Sequence, residues 1–316
     1  MDHLFVFLGL VILLLAGDSL VRGAVNASLR LGVPALIVSL TIVAFGTSAP
    51  ELLIAIKAVD EQTHGLAIGN VVGSNIANVL LVLGVPALIA RMGACDGSLC
   101  NSFLLMLGAT ALFMFVAYMG PITWVHGALM VFVLVVILGA QMRAALVYRR
   151  DCREEKEEDV EGADPSMSWR KILIFLGLGL VGLPLGADML VDGAGNIARK
   201  YGVSDTLIGL TIVAIGTSLP ELATTVMAAI RRHADVALGN VVGSNMFNLL
   251  AIIGIASFFG DIPVDPKILS FDLWVMLGAS MLLAPFAVWP KRFQLSRRYG
   301  LLFVALYGSY LTWLIV

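Results

Sequence analysis

The sequence has few charged residues and few soft metal ligands. Only 13% of its 316 residues are charged, against about a quarter in soluble domains, and 59% are hydrophobic. There are three cysteines and four histidines. With a net charge of −2 the chain has no excess of basic residues, so we expect no nucleic-acid partner. This composition excludes an ordinary soluble domain and indicates a protein that crosses a membrane several times.

About 20 apolar residues are needed to cross a bilayer as a helix. The chain divides into ten such segments. We interpret the first as a true helix, because Met1-Asp2-His3 lacks the basic start of a signal peptide. The ten predicted helices are 4–22, 34–58, 66–90, 101–118, 121–147, 170–190, 205–230, 236–259, 270–289 and 299–316.

Basic residues predict the orientation. If the long central loop is cytoplasmic, only four of the 20 Lys and Arg residues fall on the opposite side, namely Lys57, Arg199, Lys200 and Lys267. Because basic residues concentrate on the cytoplasmic side, both termini should face outward from a bacterial plasma (inner) membrane. The three cysteines, Cys95, Cys100 and Cys152, then lie in cytoplasmic loops, where we expect reduced thiols.

The chain contains the same unit twice. LTIVAFGTSAPEL at 40–52 returns as LTIVAIGTSLPEL at 210–222, and GNVVGSN at 69–75 returns at 239–245, each 170 positions later. Five helices per copy is an odd number, so the second copy enters the membrane from the opposite side. The predicted fold is an all-α membrane protein of ten transmembrane helices in two inverted-topology five-helix repeats. The repeats are 1–148 and 169–316, and a cytoplasmic acidic linker, 149–168, joins them as a solvated tether.

The first repeated motif places oxygen atoms on one helical face. Pro50 has no amide proton and crowds the carbonyl of Gly46, so the helical hydrogen bonds open there and free nearby carbonyl oxygens. Thr47 and Ser48 lie four and three residues before Glu51, so their oxygens share its face. A glutamate inside an apolar span is costly and is read as functional. The second copy repeats this pattern around Glu221.

The second motif supplies a facing surface. Ser74 precedes Asn78 by four residues, as Ser244 precedes Asn248. No Cys or His occurs in these motifs, which argues against zinc or copper and favours hard cations such as calcium and sodium. Two ionised glutamates repel each other, and either one divalent or several monovalent cations can neutralise them. That mutual exclusion is a physical basis for exchange.

Together these motifs resemble the α-repeats of the calcium/cation antiporter superfamily, and most of all its prokaryotic sodium/calcium exchanger family. The resemblance implies a secondary antiporter in which sodium entry drives calcium extrusion while the first and sixth helices slide across the others. It implies calcium and sodium as transported ions, the lipid bilayer as surroundings, no resident cofactor, no catalysis and no protein partner. The ion ligands that it implies are Glu51, Glu221, Thr47, Thr217, Ser48, Ser218, Ser74, Ser244, Asn78 and the backbone carbonyls of Ala44 and Ala214.

One site residue departs from the family pattern. Many sodium/calcium exchangers carry aspartate where this chain has Asn248, which cannot carry charge. Calcium/proton or potassium-linked exchange therefore stays open beside sodium/calcium exchange. More remote alternatives are an intramembrane hydrolase with Ser48 or Ser218 as nucleophile, and a cation channel. Asp18 and Asp188 also form a symmetric pair, for which we expect structural roles near helix ends.

Overall fold

The computed structural model describes residues 2–93, 98–151, 164, 166–202, 214–290 and 292–315. Every secondary-structure element assigned in these residues is a helix. In chain order they are α1 (Asp2–Leu31), α2a (Ala35–Thr47), α2b (Ala49–Asp60), α3 (His64–Ile89), α4 (Ser98–Tyr118), α5 (Trp124–Asp151), α6 (Trp169–Lys200), α7a (Ala214–Thr217), α7b (Leu219–Ile230), α8 (Ala234–Ala256), α9 (Ile268–Val288) and α10 (Arg297–Ile315).

These helices confirm the predicted fold class. Within the described residues, seven helices are long and apolar enough to cross a membrane, and the bent pair α2a and α2b makes an eighth span. The short helix α7b and the 19-residue helix α10 occupy the seventh and tenth predicted positions. Most of the acidic linker, together with Cys95 and Cys152, lies outside the described residues. Cys100 is a free cysteine in the first turn of α4 and not in a loop as predicted.

The first and sixth helices are longer than predicted. Helix α1 continues to Leu31 instead of ending near residue 22, and α6 continues to Lys200 instead of ending near residue 190. Polar residues such as Asp18 and Arg22 interrupt the apolar run, which predicts that α1 ends there. They lie four residues apart on one face, and the helix continues past them. Asp18 and Asp188 therefore lie within α1 and α6 and not near their ends, which corrects our expectation for both.

The two repeats interlock through matching contacts. After α3, Met92 forms an antiparallel backbone bridge with Leu295, just before α10. At the corresponding place in the second repeat, Ile262, after α8, forms a bridge with Ile122, just before α5. Helix α10 packs on the end of α3, and α5 packs on the end of α8. Each repeat thus contributes its last helix to the other repeat.

Helices α3 and α8 form the centre of the molecule. In the most apolar stretch of α8, 100% of the residues are buried, and in that of α3 72% are buried. In the corresponding stretches of α1 and α6 only 33% of the residues are buried. The main hydrophobic cluster surrounds α3 and α8 and includes residues of the other core helices, with Val21 and Val25 of α1 but no residue of α6. This arrangement leaves α1 and α6 at the periphery.

Helices α1 and α6 pack against each other as an antiparallel pair. Small residues allow the close approach, since a Cβ atom at Gly9 would lie 2.7 Å from the carbonyl oxygen of Gly186. A Cβ at Gly179 would likewise lie 2.5 Å from the Leu20 side chain. A second hydrophobic cluster contains most of the buried apolar residues of these two helices. We call α1 and α6 the peripheral pair, and the other helices the core.

Candidate intramembrane cation site

The first repeated motif breaks helix α2. Ser48 has φ −86° and ψ 3°, outside the helical region, and it separates α2a from α2b with a bend of 44°. Pro50 lies in the first turn of α2b, where a missing amide proton costs nothing. The proline break predicted from the sequence is therefore present. The carbonyl of Ala44 accepts hydrogen bonds from Ser48 N at 3.1 Å and Thr47 Oγ1 at 3.3 Å.

The second copy of the motif has the same backbone geometry. Ser218 has φ −91° and ψ 4° between α7a and α7b, and Pro220 lies in the first turn of α7b. The amide of Ser218 donates to the carbonyl of Ile215 at 3.0 Å, one residue closer than in the first repeat. Ala214, whose carbonyl the sequence assigned to the site, begins α7a. Two broken helices therefore present Glu51 and Glu221 from corresponding turns.

Wide helical turns follow the second motif in both repeats. Residues Asn78–Val82 of α3 and Phe247–Ile252 of α8 form π-helical turns, with Asn78 and Asn248 at or next to the start. Such turns are rare in proteins, and many of those that occur lie at functional sites. Both asparagines are buried, at 1% and 0% exposure. Ser74 and Ser244 lie one turn earlier and are also buried.

Hydrogen bonds between the repeats bring the predicted residues together. Ser48 Oγ donates to Glu221 Oε1 at 3.3 Å, which joins the break in α2 to the start of α7b. Thr47 Oγ1 lies 3.4 Å from Asn240 Oδ1 and 3.5 Å from Ser244 Oγ, both on α8. The two halves therefore converge at one place in the interior of the core.

The two glutamates form the charged centre of this site. Each is 1% exposed, and the carboxylate of Glu221 lies within electrostatic range of Glu51. One oxygen of each, Oε2, is buried and has no hydrogen-bond partner. Among the described residues, no group of three or more His, Cys, Asp and Glu side chains converges, so the remaining oxygens around the pair are neutral. Two buried carboxylates with free oxygens provide a strong attraction for cations.

Other predicted residues lie at the site without protein partners for some atoms. The hydroxyl of Ser218 and both amide atoms of Asn248 are buried and unpartnered, as is Oδ1 of Asn78. Buried polar atoms are normally satisfied by protein, water or a ligand. Thr217 is half-buried at the end of α7a. Several polar atoms of the predicted site residues are therefore buried without a hydrogen-bond partner from the described part of the chain.

Sequence reasoning missed three asparagines of the GNVVGSN motifs. Asn240 donates from Nδ2 to Thr225 Oγ1 at 3.2 Å and to the carbonyl of Glu221 at 3.5 Å. Asn78 Nδ2 donates to Asn245 Oδ1 at 3.1 Å, and Asn245 Nδ2 donates to the carbonyl of Asn75 at 3.4 Å. These residues connect α3 to α8 and α7b to α8. The identical repetition of the asparagines was an available signal for their role.

The site is closed on one side of the membrane and less covered on the other. We call the side that carries the 149–168 linker the linker side, and the side that carries the termini the terminal side. Helix α1 packs along α7b, where a Cβ at Gly17 would lie 3.0 Å from the carbonyl of Ala223, and Ala223 is 7% exposed. Its counterpart on α2b, Leu53, is 69% exposed. Helices α6 and α2b, both fully described, make no comparable contact. The peripheral pair thus seals the linker side.

Comparisons with known proteins give the same picture. The model of the family "Sodium/calcium exchanger protein" matches residues 3–143 and again residues 171–316. The chain is 37% identical over 281 residues to the putative antiporter CaxA of Alkalimonas amylolytica, which covers 89% of this chain and 88% of that protein. It is 32% identical over 307 residues to the inner membrane protein YrbG of Escherichia coli, covering 97% and 93%. A solved structure of the sodium-calcium exchanger NCX_Mj, soaked with Na⁺ and Sr²⁺, superposes with a TM-score of 0.83 at 30% identity, covering 98% and 97%.

The fold defines an inverted-repeat membrane transporter, and two buried glutamates lie among oxygen-bearing side chains where its repeats meet. The chain belongs to the sodium/calcium exchanger family, whose model covers both repeats. Its function is secondary antiport of calcium and sodium across a membrane.

Proposed function

We propose that Glu51 and Glu221 are the shared ion ligands of this antiporter, and that calcium and sodium compete for them. The observation that carries this proposal is the free carboxylate oxygen that each glutamate directs into the buried junction of the two repeats. One calcium ion compensates both charges, and sodium ions do so only in larger number. Occupancy by one kind of ion therefore excludes the other, which couples their movements.

The remaining ligands are neutral oxygens from both repeats. The hydroxyl of Ser48 bonds to Glu221, and the hydroxyl of Thr47, the preceding residue, contacts that of Ser244 across the repeats. The same role in the other repeat falls to Thr217, Ser218 and Ser74, and further oxygens come from Asn78, Asn248 and the carbonyls of Ala44 and Ala214. Calcium takes six to eight oxygens at about 2.3–2.6 Å, which this set can supply.

Transport follows from movement of the peripheral pair across the core. Most of the buried apolar residues of the pair lie in the second hydrophobic cluster, which it shares with Val38, Val43 and Ala223 of the core, and only Val21 and Val25 of α1 are buried in the main cluster. In the present arrangement it covers α7b and leaves α2b exposed, and the reverse arrangement would open the linker side. We assign the linker side to the cytoplasm of a plasma membrane because the basic residues concentrate there. In this orientation the less covered side of the site faces outward, while both glutamates stay buried.

Ion flux in everted vesicles tests the proposal. Calcium uptake should follow an imposed sodium gradient and should be lost in Glu51→Gln and in Glu221→Gln. Potassium or proton gradients applied alone test the alternatives that Asn248 keeps open. Calcium movement that ignores sodium, or normal uptake in either glutamine variant, would contradict the assignment. No observation on the described residues favours the hydrolase or the channel.

A further inference from the structure

An ion pair joins the peripheral pair to the core on the linker side. Asp18 of α1 accepts a hydrogen bond through Oδ1 from Nε of Arg231, the residue that ends α7b. Its other oxygen, Oδ2, lies 3.0 Å from Nε of Arg22. The Asp18 and Arg231 side chains are only 20% and 14% exposed, so water screens this contact weakly. The contact lies on the same face of α1 as the packing of Gly17 on Ala223.

Other polar contacts of the peripheral pair have a different geometry. Asp2 of α1 pairs with Lys200 at the end of α6, and the amide of Asp164, just before α6, donates to Oδ1 of Asn26 at 2.8 Å. These bonds hold α1 and α6 to each other, so they move with the pair. The bond between Asp18 and Arg231 instead crosses the surface along which the pair has to slide. It must break when the linker side opens.

The repeat symmetry shows what stands at the corresponding place on the terminal side. A shift of 170 positions carries Asp18 to Asp188, Arg22 to Asp192, and Arg231 to Glu61. Both cations are thus replaced by acids, and all three positions are negative. Glu61 has Lys57 of its own helix at 3.7 Å, a contact whose two side chains are 57% and 74% exposed. The terminal side therefore has no equivalent of the ion pair at these positions.

We propose that Asp18, Arg22 and Arg231 form a latch that keeps the linker side closed and makes the state open to the terminal side the resting state. The inference rests on the alternating movement of the proposed function. Two terms act in the same direction. Opening the linker side separates Asp18 from Arg231, and closing the terminal side brings Asp188 and Asp192 towards Glu61, where like charges repel. The two states of this exchanger are unequal in energy although the motifs of its ion site are repeated.

Two spin-label distances test the latch in a variant without native cysteines. Labels at Arg30 and Arg232, both exposed, report on opening of the linker side. Labels at Gln62 and Tyr201 report on closing of the terminal side. Both distances are measured in detergent without calcium or sodium, and again in the Glu51→Gln background. The readout therefore does not depend on transport, and a failure of the ion-site assignment would leave it unaffected.

The latch variants should change the two distances in opposite directions, because the terminal side closes when the linker side opens. Asp18→Asn and Arg231→Gln should each raise the linker-open fraction about fivefold, the effect of losing a contact at the upper end for partly exposed ion pairs. The double exchange Asp18→Arg with Arg231→Glu should return it towards the native value, because the attraction is restored with reversed signs. Glu61→Arg, which disturbs only an exposed contact, should favour the terminal-closed state by creating a partner for Asp188.

The matched control is Arg298→Gln, which removes the charge of an exposed arginine on the same side of the membrane, in the first turn of α10, and should leave both distances unchanged. Unchanged distances in both single variants of the latch would overturn the proposal. A charge exchange that leaves the linker-open fraction as high as in the single variants would also overturn it, because loss of packing and not of attraction would then explain them. Since Glu61→Arg removes no buried contact, it tests the inference even if the Asp18 variants fold poorly.

Discussion

The asparagines at the start of the two GNVVGSN motifs differ in their surroundings. Asn240 of α8 is fully buried and bonds to Thr47, Thr225 and the backbone of Glu221. Asn70, its counterpart on α3, is half-buried, and its Nδ2 atom has no partner. One cause is visible in the sequence, since Ala55 stands where the second repeat has Thr225. Identical motifs therefore make unequal contacts, and α8 holds its side of the site more firmly.

The largest expected effect falls where the repeats are equal. Glu51→Gln and Glu221→Gln should each reduce calcium transport about 100-fold or more, because a buried cation loses a charged partner that water cannot replace. Uptake of ⁴⁵Ca into proteoliposomes measures this, and Asp261→Asn, at an exposed aspartate, serves as the control with native uptake. A large loss in only one of the two variants would show that the repeats differ at the glutamates as well.

Asn240→Ala and Asn70→Ala address the unequal asparagines directly. Asn240→Ala should lower stability in detergent by about 1–2 kcal/mol, since interhelical hydrogen bonds in membranes contribute up to roughly 1.7 kcal/mol each. Asn70→Ala should cost about 0.5 kcal/mol or less, because its Nδ2 has no bond to lose. Thermal unfolding of the two variants side by side gives the comparison. Equal losses would contradict the asymmetry.

For the asparagines at the π-helical turns we predict a smaller difference in stability between the two repeats. Asn78→Asp removes the donation from Nδ2 to Asn245 and should lower stability by about 1 kcal/mol. Asn248→Asp removes no hydrogen bond, because neither amide atom of Asn248 has a partner. In the presence of sodium we expect it to keep native stability and calcium uptake, with a steeper dependence on sodium because the added buried charge needs another monovalent ion. Loss of uptake in Asn248→Asp would show that the neutral amide is required.

The smallest effect belongs to the exposed ion pair at the end of α2b. Lys57→Ala should change stability by about 0.3 kcal/mol or less, since Lys57 and Glu61 are exposed and 3.7 Å apart. The same unfolding assay on Arg231→Gln should give a larger loss, because that arginine is mostly buried. If both variants lose the same stability, the burial of Arg231 does not make the end of α7b differ from the end of α2b.

The sequence predicted much of the fold, and it marked the two glutamates as site candidates, because duplication made rare polar residues visible. Glu51 and Pro50 stand out from an apolar background, and their recurrence 170 residues later excludes coincidence. Contacts between repeats were not predictable in this way. The bond between Asn78 and Asn245 depends on how α3 meets α8, and periodicity within one helix holds no information about it.

The lengths of α1 and α6 and the π-helical turns were not predicted, for a related physical reason. Polar residues such as Asp18 end an apolar run without ending a helix when another element supplies their partner, as Arg231 does here. The π-helical turns after Asn78 and Asn248 have no strong sequence signal, because they depend on packing in the buried centre. In both cases tertiary contacts outweigh local preference.

The backbone bridges between Met92 and Leu295 and between Ile122 and Ile262 have a consequence for biogenesis. Helix α3 is covered by α10, which the ribosome delivers last, and α8 has to find α5, which was inserted long before. Neither half can complete its burial alone, so the nascent chain must hold its first five helices in an unfinished arrangement until translation ends. A chain that stops at the linker would leave the end of α3 uncovered and become a substrate for membrane proteolysis.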